Sequence, residues 1–253
     1  MYGVYFLVEW FMSWMINRDE WLKLYGLIKE RIPSLNYSMD QESTNILSDL
    51  LTRHSGRITH VELFDKLKSR RLGVVIGCGG NIYRELALLT DIRDQLDSVI
   101  IAAGSTVRLL QDKGINPDIV VTDLDGDIDS LINASRRGAI VVIHAHGDNI
   151  EEVYKYTPQI QGPVIGSTQV EPRPFVYNFG GFTDGDRGLF ILYHAGVAKA
   201  ILVGFDFEKP HACPGKQLRN PELKKKKLEV AEVLINYLKS KGMVIKSIGE
   251  IHG

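Results

Sequence analysis

The sequence predicts an α/β fold: a doubly wound, mostly parallel Rossmann-like sheet carrying a helical N-terminal appendage. Three observations point there. Short β-branched runs recur from Gly73 onward, each run is continuously apolar rather than alternating, and helical patterns separate the runs. Continuous apolar runs suit strands covered on both faces, and parallel strands need connections of about helix length. In such sheets ligands bind beyond the carboxyl ends of the strands. The polar and glycine-rich clusters of this chain follow its strand-like runs one after another.

Residues 1–70 read as the helical region and residues 71–253 as the Rossmann-like domain. Residues 1–16 are apolar and aromatic, but Glu9 interrupts them and no basic residue precedes them. Neither a signal peptide nor a membrane span is expected. Trp10, Trp14, Trp21 and Tyr25 fall near one helical face and read as a buried stripe. Asn17 or Asp19 can cap a helix that runs through Ile32 and ends at Pro33. Gln41–Leu51 and His60–Ser69 carry further helical patterns, with Gly56 between them. Strands are expected at Val74–Ile76, Val99–Ile101, Ile119–Val121, Ile140–Ile143 and Ile201–Val203, with weaker signals at Pro163–Ile165, Phe175–Tyr177 and Met243–Ile245. Intervening helices are expected at Ile82–Arg93, Thr106–Lys113, Ser130–Arg137, Ile150–Tyr156, Arg187–Ala195 and Glu222–Ser240.

The 253 residues are 44% hydrophobic and 24% charged, with a formal net charge of −1. That balance fits a globular chain and offers neither nucleic acid nor a membrane surface an electrostatic footprint. The one basic run, Lys224–Lys227, opens a helical pattern and reads as a solvated face. Cys78 and Cys213 lie far apart without metal-ligand spacing. No disulfide framework is expected and a reducing, cytoplasmic setting fits, pairing of the two being the alternative. A homo-oligomer is left open.

The densest chemical signal is Asp123, Asp125, Asp127 and Asp129, at alternate positions directly after Ile119–Val121. Two unit charges about 4 Å apart repel by roughly 1 kcal/mol in water and about 4 kcal/mol at protein-surface screening. A divalent cation relieves that repulsion, and a polyphosphate substrate is the common reason to hold one there. Asp123, Asp125 and Asp127 are the expected metal ligands, with Mg²⁺ the expected ion. Asp125 and Asp127 are also candidate catalytic groups, Gly126 provides a bend, and Asp129 can instead cap the helix from Ser130. No Glu stands at the twelfth position from Asp123 or Asp125, so the run is not a calcium loop.

Four further clusters follow strands. Gly77, Gly79, Gly80 and Asn81 form a glycine-rich turn whose amides can hold phosphate, although no Walker lysine follows. Gly104, Ser105 and Thr106 offer close backbone approach and helix capping. His144 and His146 would share one side of a continuing strand, with Asp148 or Asn149 as helix cap. Phe182, Thr183, Asp184, Asp186 and Arg187 sit in a loop with Phe179, Gly180 and Gly181; such a loop suits a flat ring, and Arg187 could meet phosphate. Asp206, after the Ile201–Val203 run, is a weaker candidate.

Taken in order, Thr122-Asp123-Leu124-Asp125-Gly126, then His144-Ala145-His146-Gly147-Asp148-Asn149, then Phe179 to Arg187, resemble the archaeal 6-hydroxymethyl-7,8-dihydropterin diphosphokinases of the MptE type. The resemblance runs from about Gly73 to the C-terminus. Gly114 to Asp118 and the acidic run also resemble thiamine diphosphokinase. One departure is Cys78-Gly79-Gly80-Asn81, where relatives more often have a Gly-Pro-Ser turn. The resemblance implies transfer of diphosphate from ATP to the hydroxymethyl group of a reduced pterin, giving AMP. It implies Asp123 and Asp125 on the metal, Asp127 as ligand or proton acceptor, and His144, catalytic His146 and Arg187 on the phosphates. Phe182, Thr183 and Asp184 would hold the pterin. Thiamine diphosphokinase and a sugar-nucleotide glycosyltransferase are the alternatives.

Overall fold

A computed structural model describes residues 14–213 and 216–252, so Trp10 lies outside the described residues. Three helices come first: α1 (Arg18–Arg31), α2 (Tyr37–Arg53) and α3 (His60–Leu67). Asn17 caps α1 by accepting from the Glu20 amide, 3.0 Å. Asn36 caps α2, which begins earlier and ends later than Gln41–Leu51. Within the expected stripe Trp21 and Tyr25 are buried, and Trp21 Nε1 donates to the Gln169 carbonyl at 2.8 Å.

Eight strands follow: β1 (Leu72–Ile76), β2 (Ser98–Ala103), β3 (Ile119–Thr122), β4 (Ile140–His144), β5 (Val164–Ser167), β6 (Val176–Tyr177), β7 (Lys199–Val203) and β8 (Val244–Ser247). The three weakest runs are therefore strands, and every pairing is parallel. The helices between them are α4 (Ile82–Ile92), α5 (Val107–Asp112), α6 (Ile128–Arg136), α7 (Ile150–Tyr156), α8 (Asp184–His194) and α9 (Pro221–Ser240), and α10 (Gly249–His252) closes the chain. The strand order is β6-β5-β4-β3-β2-β1-β7-β8. The chain winds outward from β1 to β6, then crosses back to place β7 on the other side of β1. Beyond β1 and β7 lies the crevice where such sheets bind ligands. Among the described residues no helix is long and apolar enough to cross a membrane.

The period-2 geometry of a strand explains the continuous apolar runs. Val75, Ile101, Val121 and Val142 face one core with α1, α3, α8 and α9. Their neighbours Val74, Ala102, Val120 and Val141 face the other, with α2 and α4 to α7. Each fully buried aliphatic side chain contributes about 1.5–3 kcal/mol, so a polar residue on either face would be costly. The N-terminal helices are thus divided: α1 and α3 complete one core, whereas Leu47 and Leu51 of α2 enter the other. That division carries the start of α2 to the carboxyl end of the sheet.

The two cysteines, expected to be free, are paired: Cys78 and Cys213 form a disulfide across 135 residues of sequence, with Cα atoms 5.4 Å apart. The cause is topological. Cys78 follows β1 and Cys213 follows β7, and those strands are neighbours only because the chain crosses back.

Helix α8 lies unusually close to β1 and β2. A Cβ on Gly188 would stand 3.0 Å from Ile101 Cγ2 and 3.4 Å from Val75 Cγ1. Replacing Gly188 with Leu should overpack this seat and cost about 1–3 kcal/mol. Urea denaturation would measure it, and an unchanged midpoint would contradict the close packing.

Candidate active site

A cleft of about 580 Å³ runs along the carboxyl ends of the strands. Asp123 and Asp125 sit on its floor. Between them Leu124 is buried and adopts φ 66°, a left-handed conformation that costs a non-glycine residue about 1–2 kcal/mol. The turn buries Leu124 and leaves the flanking carboxylates in the cleft. The bend thus belongs to Leu124 and not to Gly126, whose missing Cβ instead admits the Gly104 carbonyl.

The acidic run divides differently from expectation. Asp127, expected as ligand and catalytic group, is the cap of α6: its Oδ1 accepts from the Ser130 amide at 2.9 Å. Its Oδ2 lies 3.6 Å from Arg108 Nη1, and Asp127 does not line the cleft. Asp129, expected as the cap, lies in the first turn of α6. The cleft carboxylate that lies in the field of Asp123 and Asp125 is Asp184, at the start of α8. Burial, then the charges of Asp123 and Asp125, push Asp184 well above the usual carboxylate range. Asp125 is also raised: its side chain opens onto the cleft, but the protein surrounding that cleft and then the charge of Asp123 act on it, against Lys216 Nζ at 2.9 Å. Burial alone would raise Asp123, but His146 and Asp125 outweigh it and hold Asp123 below the usual range.

These are oxygen donors of the type a hard cation takes. Among the described residues no group of three His, Cys, Asp or Glu is close enough to cage an ion. The set therefore fits Mg²⁺ held by one or two carboxylates together with waters and substrate phosphates, not a closed structural site.

The histidines take separate roles. His146 Nδ1 accepts from the Asp148 amide at 3.2 Å, so its proton sits on Nε2, 3.7 Å from Asp123 Oδ2. His146 thus stands beside Asp123 with its Nδ1 engaged by the Asp148 amide. His144 is buried; burial, then the Arg187 charge, lower its pKa well below the ordinary value. Asn149 makes no side-chain cap bond to α7, but its Oδ1 accepts from the His146 amide at 3.0 Å in the capping box of the single turn Gly147–Asn149, and its Nδ2 donates to the carbonyls of Asp123 (2.8 Å) and His144 (2.7 Å), stapling β3 to β4.

Arg187 and Asp186 are not at the cleft surface. Arg187 is 0% exposed; its Nη2 donates to His144 Nε2 at 3.0 Å and its Nη1 to the Gly180 carbonyl at 3.1 Å. Burial lowers its pKa to about 10, opposed by Asp186, Asp184 and Asp123, so it stays charged at neutral pH. Asp186 closes the start of α8, accepting from the amides of Phe182 (2.7 Å) and Thr183 (2.8 Å). Burial pushes it up to about 6. Arg187 therefore positions this loop and cannot meet a phosphate.

Of the glycine-rich turn, Gly77 and Gly79 line the cleft, but their amides already donate to the carbonyls of Val203 (2.9 Å) and Gly204 (2.6 Å). Gly80 lies under the His211 ring, and Asn81 Nδ2 turns away to Glu85 (2.7 Å) and the Phe205 carbonyl (3.2 Å). These four residues lock β1 to β7 more than they cradle an anion. Gly104 packs against Thr122, Thr106 Oγ1 bonds the Ala103 carbonyl at 2.8 Å, and of these three Ser105 alone faces the cleft. Phe182 and Thr183 do line it, as does Asp206, whose Oδ2 is 3.4 Å from His211 Nε2.

Sequence reasoning missed two walls. One is Asn36, Met39 and Asp40 from α2 with Gln169. Buried Asp40 accepts from the Gly147 amide (2.8 Å) and Gln169 Nε2 (2.7 Å), a contact no local pattern encodes. The other is Leu223, Lys224, Lys227, Leu228 and Ala231 of α9, whose helical spacing was visible but read as solvated.

The fold and site define a Rossmann-like α/β protein with an acidic binding cleft at its strand ends. The chain belongs to the MptE-like family: the family model described as 6-hydroxymethylpterin diphosphokinase MptE-like matches residues 49–211. Curated relatives named 6-hydroxymethyl-7,8-dihydropterin pyrophosphokinase include that of Methanocaldococcus jannaschii, 37% identical over 89% of this chain and 97% of its own length. That of Pyrococcus furiosus is 37% identical over 91% and 96%. That of Methanothermobacter thermautotrophicus is 36% identical over 88% and 96%. A solved MAf glycosyltransferase from Magnetospirillum magneticum AMB-1 aligns at TM-score 0.49 and 14% identity over 81% of this chain and 35% of that one, a likeness too slight to bear on function.

If Arg187 is a buried positioning residue, Arg187→Lys loses the planar fork that reaches both His144 and Gly180. A loss of about 2–5 kcal/mol in unfolding free energy is expected. A surface phosphate ligand would show no such loss by denaturant titration.

Proposed function

We propose that this chain transfers diphosphate from ATP to the hydroxymethyl group of 6-hydroxymethyl-7,8-dihydropterin. The reading rests on the relatives' shared name together with the acidic cleft at the strand ends. The hydroxymethyl oxygen attacks the β-phosphorus, the bond from that phosphorus to the oxygen it shares with the α-phosphorus breaks, and AMP leaves. The alcohol's proton is released in the net reaction.

Such a transfer needs alignment and neutralisation more than covalent help from the protein. Mg²⁺, when bound with the triphosphate, would supply charge neutralisation and a template for the in-line geometry. Asp123 and Asp125 would hold it, with Asp184 facing the same space. His146 keeps Asp123 ionised and oriented. Phe182, Phe205, Phe207 and Leu228 give the cleft an apolar side suited to a flat heteroaromatic ring.

The test supplies ATP and Mg²⁺ with either the hydroxymethyl dihydropterin or thiamine, and quantifies AMP and ADP. Pterin-dependent AMP is expected. ADP release, a preference for thiamine, or no turnover would reject the reading. Chelation of the metal should abolish turnover and added Mg²⁺ restore it. Asp125→Asn should lower kcat at least about 100-fold, because it removes a charge that acts on the metal in the transition state. The side chain is 61% exposed, so the melting temperature should hold. Full activity in that variant would take Asp125 out of the mechanism.

A further inference from the structure

The charges around the cleft do not balance. Asp40, Asp123, Asp125, Asp148, Asp184 and Asp206 line it, and a polyphosphate would add more negative charge. No arginine lines it among the described residues, since Arg187 lies buried behind. The permanent cations on its described wall are Lys209, Lys224 and Lys227, with Lys216 behind the lining and already paired to Asp125. Lys209 is exposed at the rim, whereas Lys224 and Lys227 are half-buried.

Lys224 and Lys227 stand three apart on α9 and so share a face, continued by Leu228 and Ala231. Their neighbours Lys225 and Lys226 are exposed. Lys224 lies in the field of Asp184 and Asp125. Yet among the described residues neither the Lys224 nor the Lys227 ammonium makes a hydrogen bond or ion pair. Two ammonium groups partly removed from water and left unpaired are costly unless an anion arrives to meet them.

We propose that Lys224 and Lys227 are the anion-binding wall of this cleft, receiving the phosphates of a polyphosphate substrate opposite Asp123 and Asp125. The proposal rests on the diphosphate-transfer reading and deepens it. A metal on the aspartates and ammonium groups on α9 would neutralise the chain of phosphates from two sides. A lysine is a mobile point charge, so it can follow a phosphate group as that group moves between donor and acceptor. The basic run is thereby split: its first and last members face the ligand and its middle two keep α9 soluble.

The test measures binding of inorganic tripolyphosphate with Mg²⁺ by calorimetry to wild type, Lys224→Met, Lys227→Met and Lys225→Met, and confirms the melting temperature of each. Loss of a charge-assisted hydrogen bond should weaken binding about tenfold or more in the first two variants. Lys225→Met should stay within about twofold of wild type, and Lys224→Arg should recover most of the lost affinity. No binding by wild type, or equal effects at positions 224 and 225, would overturn the proposal. Kinetics with ATP separate it from the parent reading. A raised KM for ATP in Lys224→Met supports both. Tripolyphosphate binding that depends on Lys224, without any turnover of the pterin, supports the lysine wall while rejecting the pterin reaction.

Discussion

The site depends on one buried charge. Arg187 is fully enclosed yet lies among Asp123, Asp184 and Asp186, and its guanidinium bridges the β4 end to the Phe179–Thr183 loop through His144 and Gly180. An arginine without solvent is tolerable because neighbouring carboxylates offset it and both Nη groups find acceptors, although Nε finds none. In return it lowers the cost of crowding Asp123, Asp184 and Asp186 around it. It also fixes the neutral form of His144: Nε2 accepts from Arg187, leaving the Nδ1 proton to face Ser167 Oγ at 3.1 Å.

Around that charge the cleft separates structure from chemistry. Asn149, Asp186, Asn81 and Glu85 join strand ends and turns through side-chain hydrogen bonds. Asp123, Asp125 and Asp184 are left with carboxylates that repel one another, a state that favours cation binding. Their own temporary partners, His146 and Lys216, are cations or proton donors standing beside the same oxygens. Helix α9 presents the opposite sign across the cleft. Acidic and basic side chains thus line one cleft.

Much of the fold was legible because its signals are local. The strand at Ile119–Thr122 and the crossover before Ile140–His144 follow from continuous apolar runs and the helical pattern between them. Weak runs such as Phe175–Tyr177 were harder to read, because β6 is only two residues and depends on pairing with β5. The site was legible in part. Asp123, Asp125, His146, Phe182, Thr183 and Asp184 do converge, since each follows or flanks a strand end. Arg187 looked like a phosphate ligand because a charged residue beside a glycine-rich loop is usually exposed; nothing local says that α8 turns it inward.

What the sequence by itself determined was the α/β class, the strand-end location of the acidic run and the family resemblance, all encoded within a few residues of chain. Which polar groups are engaged and which stay open to a ligand follows from packing across the fold. Asp127 rather than Asp129 caps α6, Cys78 meets Cys213, Asp40 reaches Gly147, and Lys224 faces the carboxylates. Except for the cap, each joins groups more than 30 residues apart, brought together by the return of the chain past β1 or by the division of the N-terminal helices between two cores. The cap turns on the backbone angle at which α6 begins, which its packing on the sheet sets and alternating aspartates leave open.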